Sequence, residues 1–257
     1  MEIGTHMSNT EKSVHSVING PVATVTLSRP DVLNAITREM LVELSETLDE
    51  VSANSSVKVV ILTGEGRAFS AGVDLKALGG RELINGAVGD LLDEPAREAI
   101  KRLTTIPQVV IGRLNGACFT GALELLLACD LIIAANEAKI GDTHAKWGLR
   151  PSWGMSQRLV KAVGITRARE LSYTAKTFSG SEAAQWGLAI CSVPLAELDE
   201  AVSALAASVL NNSPGSLVAY KDLYRRALDN VLVDGLEQEA ATSYQIIDTE
   251  ERIAGFR

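Results

Sequence analysis

Two apolar runs without polar alternation stand out along this chain. Val59-Val60-Ile61-Leu62 and Val109-Val110-Ile111 carry only β-branched or aliphatic residues, which predicts strands buried on both faces. Other stretches follow strand or helix periods. Val22–Leu27 alternates apolar and polar residues after a Gly20-Pro21 turn and predicts a strand, closed by Ser28-Arg29-Pro30. Met40, Leu41, Leu44, Leu48 and Val51 recur at helical spacing behind Thr37, a residue able to cap that helix. Leu131–Ala135 reads as a strand and residues 138–142 as a short one. Pro95 suits the first turn of a helix ending near Thr104. A helix from about Met155 is expected to stop at Gly164. Ser179 and Glu182 have capping-box spacing for a helix ending at Gly187.

After Pro194 the strand patterns cease. Leu198, Val202, Leu205 and Val209 form one helical stripe, Ser213-Pro214 starts a second helix, and Gly235 is expected to precede a third. Strand–helix alternation before this point predicts an α/β core over residues 8–195, followed by a helical region over residues 196–257. Those last helices cannot build a core alone, so they are expected to pack on the main domain or on a neighbouring subunit. Residues 1–7, MEIGTHM, look vector-derived, and Met7 is taken as the native start.

Composition narrows the function. A net charge of −8 argues against nucleic acid or an anionic membrane as partner. Cys118, Cys129 and Cys191 lack metal or disulfide spacing and read as reduced core thiols. No apolar run approaches the roughly 20 residues of a membrane span, and no signal peptide is apparent, so the cytoplasm is the expected compartment.

Candidate chemistry lies just past the two buried strands. Residues 63–76 read TGEGRAFSAGVDLK. Gly64 and Gly66 break the strand, and Ala71-Gly72-Val73 brings a near-bare backbone to the surface. Small residues there let a ligand oxygen approach free N–H groups. Residues 115–130 read NGACFTGALELLLACD. Together, in this order, the two segments resemble the paired signatures of the crotonase superfamily, the enoyl-CoA hydratase/isomerase family, and the resemblance extends over nearly the whole chain. It implies an α/β fold of crotonase type, a spiral of ββα turns with a C-terminal helical trimerisation region, assembled as trimers or hexamers.

The resemblance also implies an oxyanion hole at the backbone N–H groups of Val73 and Gly121. Gly121 stands at or near the start of a helix expected over residues 120–129, where N–H groups are unpaired. Glu124 is three positions further on, in a helix that is otherwise apolar on almost every face: Leu123, Leu125, Leu126, Leu127. A carboxylate in such a helix is costly and therefore a functional candidate. The family's hydratases carry a water-activating glutamate at this motif position. Their second glutamate stands twenty positions on; here that position is His144, which can also move protons near neutral pH.

For the acyl carrier, the resemblance points to Lys76 as a contact for the CoA phosphates or adenine. Ala35, Ala71, Asp74 and Leu75 are further substrate-binding candidates, with Arg29 a weaker one in the early loop and Lys221, on a C-terminal helix, a candidate to reach a CoA across a subunit boundary. Taken singly, each of these basic residues reads as a solvated surface charge. Asp74 is also suited to cap a helix after it. The glycine-rich stretch 79–95 is expected to form a mobile lid beside the site, with one helical turn. No P-loop, Rossmann or Ser/His/Asp pattern is present, and one histidine makes no metal site. The expected activity is hydration of a 2-trans-enoyl-CoA, with CoA entering as part of the substrate and no other cofactor. Another crotonase reaction through the same enolate (isomerisation, decarboxylation, C–C hydrolysis) and a weakly catalytic acyl-CoA binder are the alternatives.

Overall fold

The structure, a computed structural model, describes residues 12–76, 84–86, 88–228 and 232–255. It opens with β1 (Val14–Asn19), which pairs antiparallel with β2 (Val22–Leu27). Only Val14 of β1 is buried, so this edge strand has no alternation by which the sequence could announce it. Helix α1 (Arg38–Ala53) follows, with the Thr37 side chain accepting from Met40 N and the expected stripe buried.

The chain then spirals through two sheets. Strand β3 (Val59–Gly64) runs in the first sheet, β4 (Ala68–Ser70) in the second, and α2 (Asp90–Thr105) completes that turn. Strands β5 (Val109–Leu114) and β6 (Ala117–Phe119) repeat the path and end in α3 (Gly121–Leu126). Strands β7 (Leu131–Ala135) and β8 (Lys139–Gly141) repeat it again and lead to α4 (Met155–Thr174). A shorter passage, β9 (Phe178–Ser179), α5 (Gly180–Gln185) and β10 (Cys191–Val193), closes the series. The first sheet has the order β1-β2-β3-β5-β7-β10 and is parallel from β2 onward; the second is β4-β6-β8-β9. This is the crotonase-type α/β fold. Every residue of β3 is buried, because helices and the second sheet cover both of its faces.

Several elements differ from expectation. Helix α2 starts at Asp90, so Pro95 lies inside it and not in its first turn. Leu92, Ala96, Ala99 and Leu103 bury one stripe against α1, and that burial outweighs the one backbone bond that proline forfeits. Of the stretch 79–95, residues 84–86 form a single 3₁₀ turn, while residues 79–83 and 87 lie outside the described residues. The second-motif helix is shorter than expected, Gly121–Leu126. Gly164 does leave helical geometry, at φ 75°, but the helix resumes at once and runs to Thr174.

The C-terminal region carries four helices among its described residues, α6 (Leu198–Leu210), α7 (Pro214–Ala227), α8 (Leu232–Ala241) and α9 (Thr249–Ala254), with a non-helical segment over residues 242–248. Helix α6 packs its stripe on β3, β5 and β7 of the same chain. Gly235 lies inside α8 and does not precede it. Helices α8 and α9 leave Leu232, Val233, Leu236 and Ile253 exposed. Among the described residues, no helix is long and apolar enough to cross a membrane.

Candidate active site

The two sequence motifs meet at Gly72 and Thr120. Gly72 has φ +92°, and a Cβ on it would fall 2.3 Å from Thr120 Oγ1 and 2.7 Å from the Phe119 carbonyl. Only glycine permits this approach. Asn115 fastens the motifs from below: its Nδ2 donates to the carbonyls of Gly64 and Gly66, each at 2.9 Å. Buried Asn34 donates to the Ala68 carbonyl at 2.9 Å.

Val73 forms an isolated parallel bridge with Ile36. Its two bonds run from Ile36 N to the Gly72 carbonyl and from Asp74 N to the Ile36 carbonyl. Val73 N–H therefore points the other way and has no hydrogen-bond partner among the described residues. Gly121 N–H, in the first turn of α3, is likewise unpaired among them. Val73 and Gly121 line one cavity of about 140 Å³, shared with Ala71, Leu75, Glu124 and His144.

Glu124 is 2% exposed. Its Oε1 accepts two backbone bonds, from Trp153 N at 3.0 Å and Met155 N at 2.9 Å. Its Oε2 faces His144 Nε2 at 3.6 Å. Burial pushes the Glu124 carboxyl above the usual glutamate range, and the Met155 bond and the nearby His144 only partly oppose it.

His144 opens a short 3₁₀ turn, and its Nδ1 lies 2.6 Å from Asp142 Oδ1. Asp142 Oδ2 accepts from Ser172 Oγ on α4, also at 2.6 Å. Burial alone would raise the Asp142 carboxyl, but bonds from His144 and Ser172 outweigh it, and the group is held below its usual range. An ionised Asp142 fixes the proton on Nδ1, which leaves Nε2 to face Glu124 and the cavity. Asp142 and Trp153 did not stand out as site residues in the sequence. The Asp-x-His spacing was a local cue to Asp142; nothing local announced Trp153.

The carrier candidates are placed unequally. Ala71 and Leu75 line the cavity; Ala35, Asp74 and Lys76 lie outside its lining. Arg29 bridges the Ala35 carbonyl and Asp74, whose Oδ2 is 3.2 Å away. Asp74 Oδ1 accepts from Lys76 N at 3.2 Å; residues 75 and 76 form a turn, and any continuation of the helix expected there lies outside the described residues. Lys76 is exposed. Lys221, on α7, also lies outside the cavity lining. Its side chain is 8% exposed, and its ammonium pairs with Asp130 Oδ2 at 2.8 Å and donates to the carbonyls of Leu103 and Gln108. It ties α7 to the core.

The fold, with two unpaired amides beside a buried carboxylate, defines a crotonase-superfamily enzyme. The chain belongs to the Enoyl-CoA hydratase/isomerase family, whose profile matches residues 17–257. It is 34% identical to "Probable enoyl-CoA hydratase 1, peroxisomal" of Arabidopsis thaliana, over 91% of this chain and 87% of that protein. It is 30% identical to the "Short-chain-enoyl-CoA hydratase" of Clostridium acetobutylicum, over 91% and 88%. Among solved structures, an enoyl-CoA hydratase subunit of Geobacillus kaustophilus superposes with a TM-score of 0.85 at 32% identity, covering 95% of this chain and 94% of that one. A Thermobifida fusca protein solved with acetoacetyl-CoA superposes at 0.80 and 31% identity, over 95% and 96%.

Proposed function

We propose that this protein is an enoyl-CoA hydratase, adding water across the double bond of a 2-trans-enoyl-CoA. Glu124 carries the reading: a buried carboxylate in the cavity wall, with one oxygen held by two backbone amides and the other turned to His144. The thioester carbonyl accepts from the N–H groups of Val73 and Gly121, which stabilise the charge of the enolate. Glu124 Oε2 takes a proton from water as the water oxygen bonds to the β-carbon. The double-bond electrons move toward the α-carbon and carbonyl. His144 Nε2, positioned between Glu124 and Asp142, delivers a proton to the α-carbon. Passage of the proton from Glu124 to His144 restores both groups, so the sum is one added water.

CoA takes part as the carrier half of the substrate, and no separate cofactor acts. Ala71 and Leu75 flank the acyl end, while Lys76, with Ala35 and Asp74 nearby, lies on the carrier side. The exposed apolar residues of α8 and α9 support assembly into trimers, singly or paired as hexamers. The direct test is the loss of ultraviolet absorbance of crotonyl-CoA on adding protein. Steady loss supports hydration. Binding of crotonyl-CoA without loss would make the chain an acyl-CoA binder.

A further inference from the structure

The cavity beside Glu124 is small, about 140 Å³, against roughly 300–1,000 Å³ for sites of drug-sized ligands. One of its walls is an indole. The six-membered ring of Trp153 lies against Gly121, where a Cβ would fall 2.4 Å from Cζ3 and 3.0 Å from both Cε3 and Cη2. Trp153 is 3% exposed and held at two points. Its backbone N donates to Glu124, and its Nε1 donates to Asp93 Oδ1 at 2.7 Å.

Asp93 has no part in the acid–base steps above. It sits on α2, buried, and its Oδ1 also accepts from Ser152 Oγ at 2.7 Å. Arg97 Nη2 is 3.6 Å from the other oxygen. A buried carboxylate persists where donors satisfy it. Two of these donors come from the loop that walls the cavity, so the arrangement holds the indole on Gly121.

We propose that Trp153, latched by Asp93, is the stop of the acyl pocket and restricts this enzyme to short acyl thioesters. The proposal rests on the acyl-CoA reading above. A thioester carbonyl at the Val73 and Gly121 amides brings the α- and β-carbons beside Glu124 and His144. The remaining hydrocarbon then has to fit between the Trp153 ring and Leu75, Val88, Trp147 and Leu149, which line the same cavity. That space takes a few carbons and no long chain.

The test is the affinity of saturated butyryl-CoA and decanoyl-CoA, by calorimetry, for the parent, Trp153→Ala, Trp153→Phe and Asp93→Asn. Saturated thioesters need no chemistry, so the affinities read the pocket even if the reaction is not hydration. The parent is expected to bind decanoyl-CoA no more tightly than butyryl-CoA. Trp153→Ala should raise the decanoyl-to-butyryl affinity ratio at least about tenfold, within what a few methylenes are worth in an apolar pocket. Trp153→Phe, which keeps a ring in place, should stay nearer the parent, and Asp93→Asn, which loosens the latch, should fall between. An unchanged ratio in Trp153→Ala, with butyryl-CoA still bound, overturns the stop. Failure of the parent to bind either thioester overturns the acyl-CoA reading and the stop with it. Should Trp153→Ala not fold, the parent alone decides: decanoyl-CoA bound about tenfold more tightly than butyryl-CoA contradicts the proposal.

Discussion

His144 Nε2 stands 3.6 Å from Glu124 Oε2, while its other ring nitrogen lies 2.6 Å from Asp142. The imidazole is thus suspended between two buried carboxylates whose environments push them apart: Glu124 upward through burial, Asp142 downward through its bonds from His144 and Ser172. Such a separation marks out different proton roles for like groups. Asp142→Asn should remove the charge that orients the ring. Hydration is expected to fall by about 10²–10⁴-fold, as when the carboxylate behind a catalytic histidine is neutralised. Butyryl-CoA affinity should stay near the parent's. A variant with full activity and an unchanged pH profile would make the Asp142–His144 contact merely structural.

The pH dependence follows from Glu124. Its carboxyl is raised above the ordinary glutamate value of about 4.3. As pH falls through the raised pKa, Glu124 takes up a proton and the base is lost. The acid limb of kcat/KM should therefore lie above pH ~4.3. An acid limb at or below that value would mean that a different group serves as base.

Much of this site was readable in the sequence, because its anchors sit in short local patterns. Val73 follows small residues past a buried strand, and Glu124 lies one turn after Gly121 in an apolar helix. What escaped was either too short or too distant. Strands β4, β6 and β9 hold three, three and two residues, too few to display a period of two. Trp153 and Asp93 are sixty positions apart and meet only through folding. Lys221 looked like a solvated charge because its partners, Leu103, Gln108 and Asp130, lie about ninety or more positions away.

Gly72 is the joint between the two motifs. Gly72→Ala places a methyl group 2.3 Å from Thr120 Oγ1 at a φ of +92°. The strain should cost ~1–2 kcal/mol or more. Separating the Val73 and Gly121 amides should lower hydration by about 10²-fold, the scale of a misplacement near 1 Å. Calorimetric melting and steady-state rates check both. A variant with parental activity would show that the two amides do not act as a pair.

Assembly is tested by light scattering. Helices α8 and α9 expose Leu232, Val233, Leu236 and Ile253, and trimers or hexamers are expected at micromolar concentration. Replacing Leu232 and Leu236 together by Glu should shift the population toward monomer. A monomeric parent would contradict the assembly.

The central claim is that Glu124 activates the water that adds to the enoyl thioester. Glu124→Gln keeps an oxygen for the Trp153 and Met155 amides and removes the base. The decisive measurement is the rate of crotonyl-CoA hydration by this variant, alongside its affinity for butyryl-CoA. The rate should fall by about 10²–10⁴-fold, with binding retained because the oxyanion donors are backbone amides. Hydration by Glu124→Gln at the parental rate would contradict that claim, whatever replacement of His144 does.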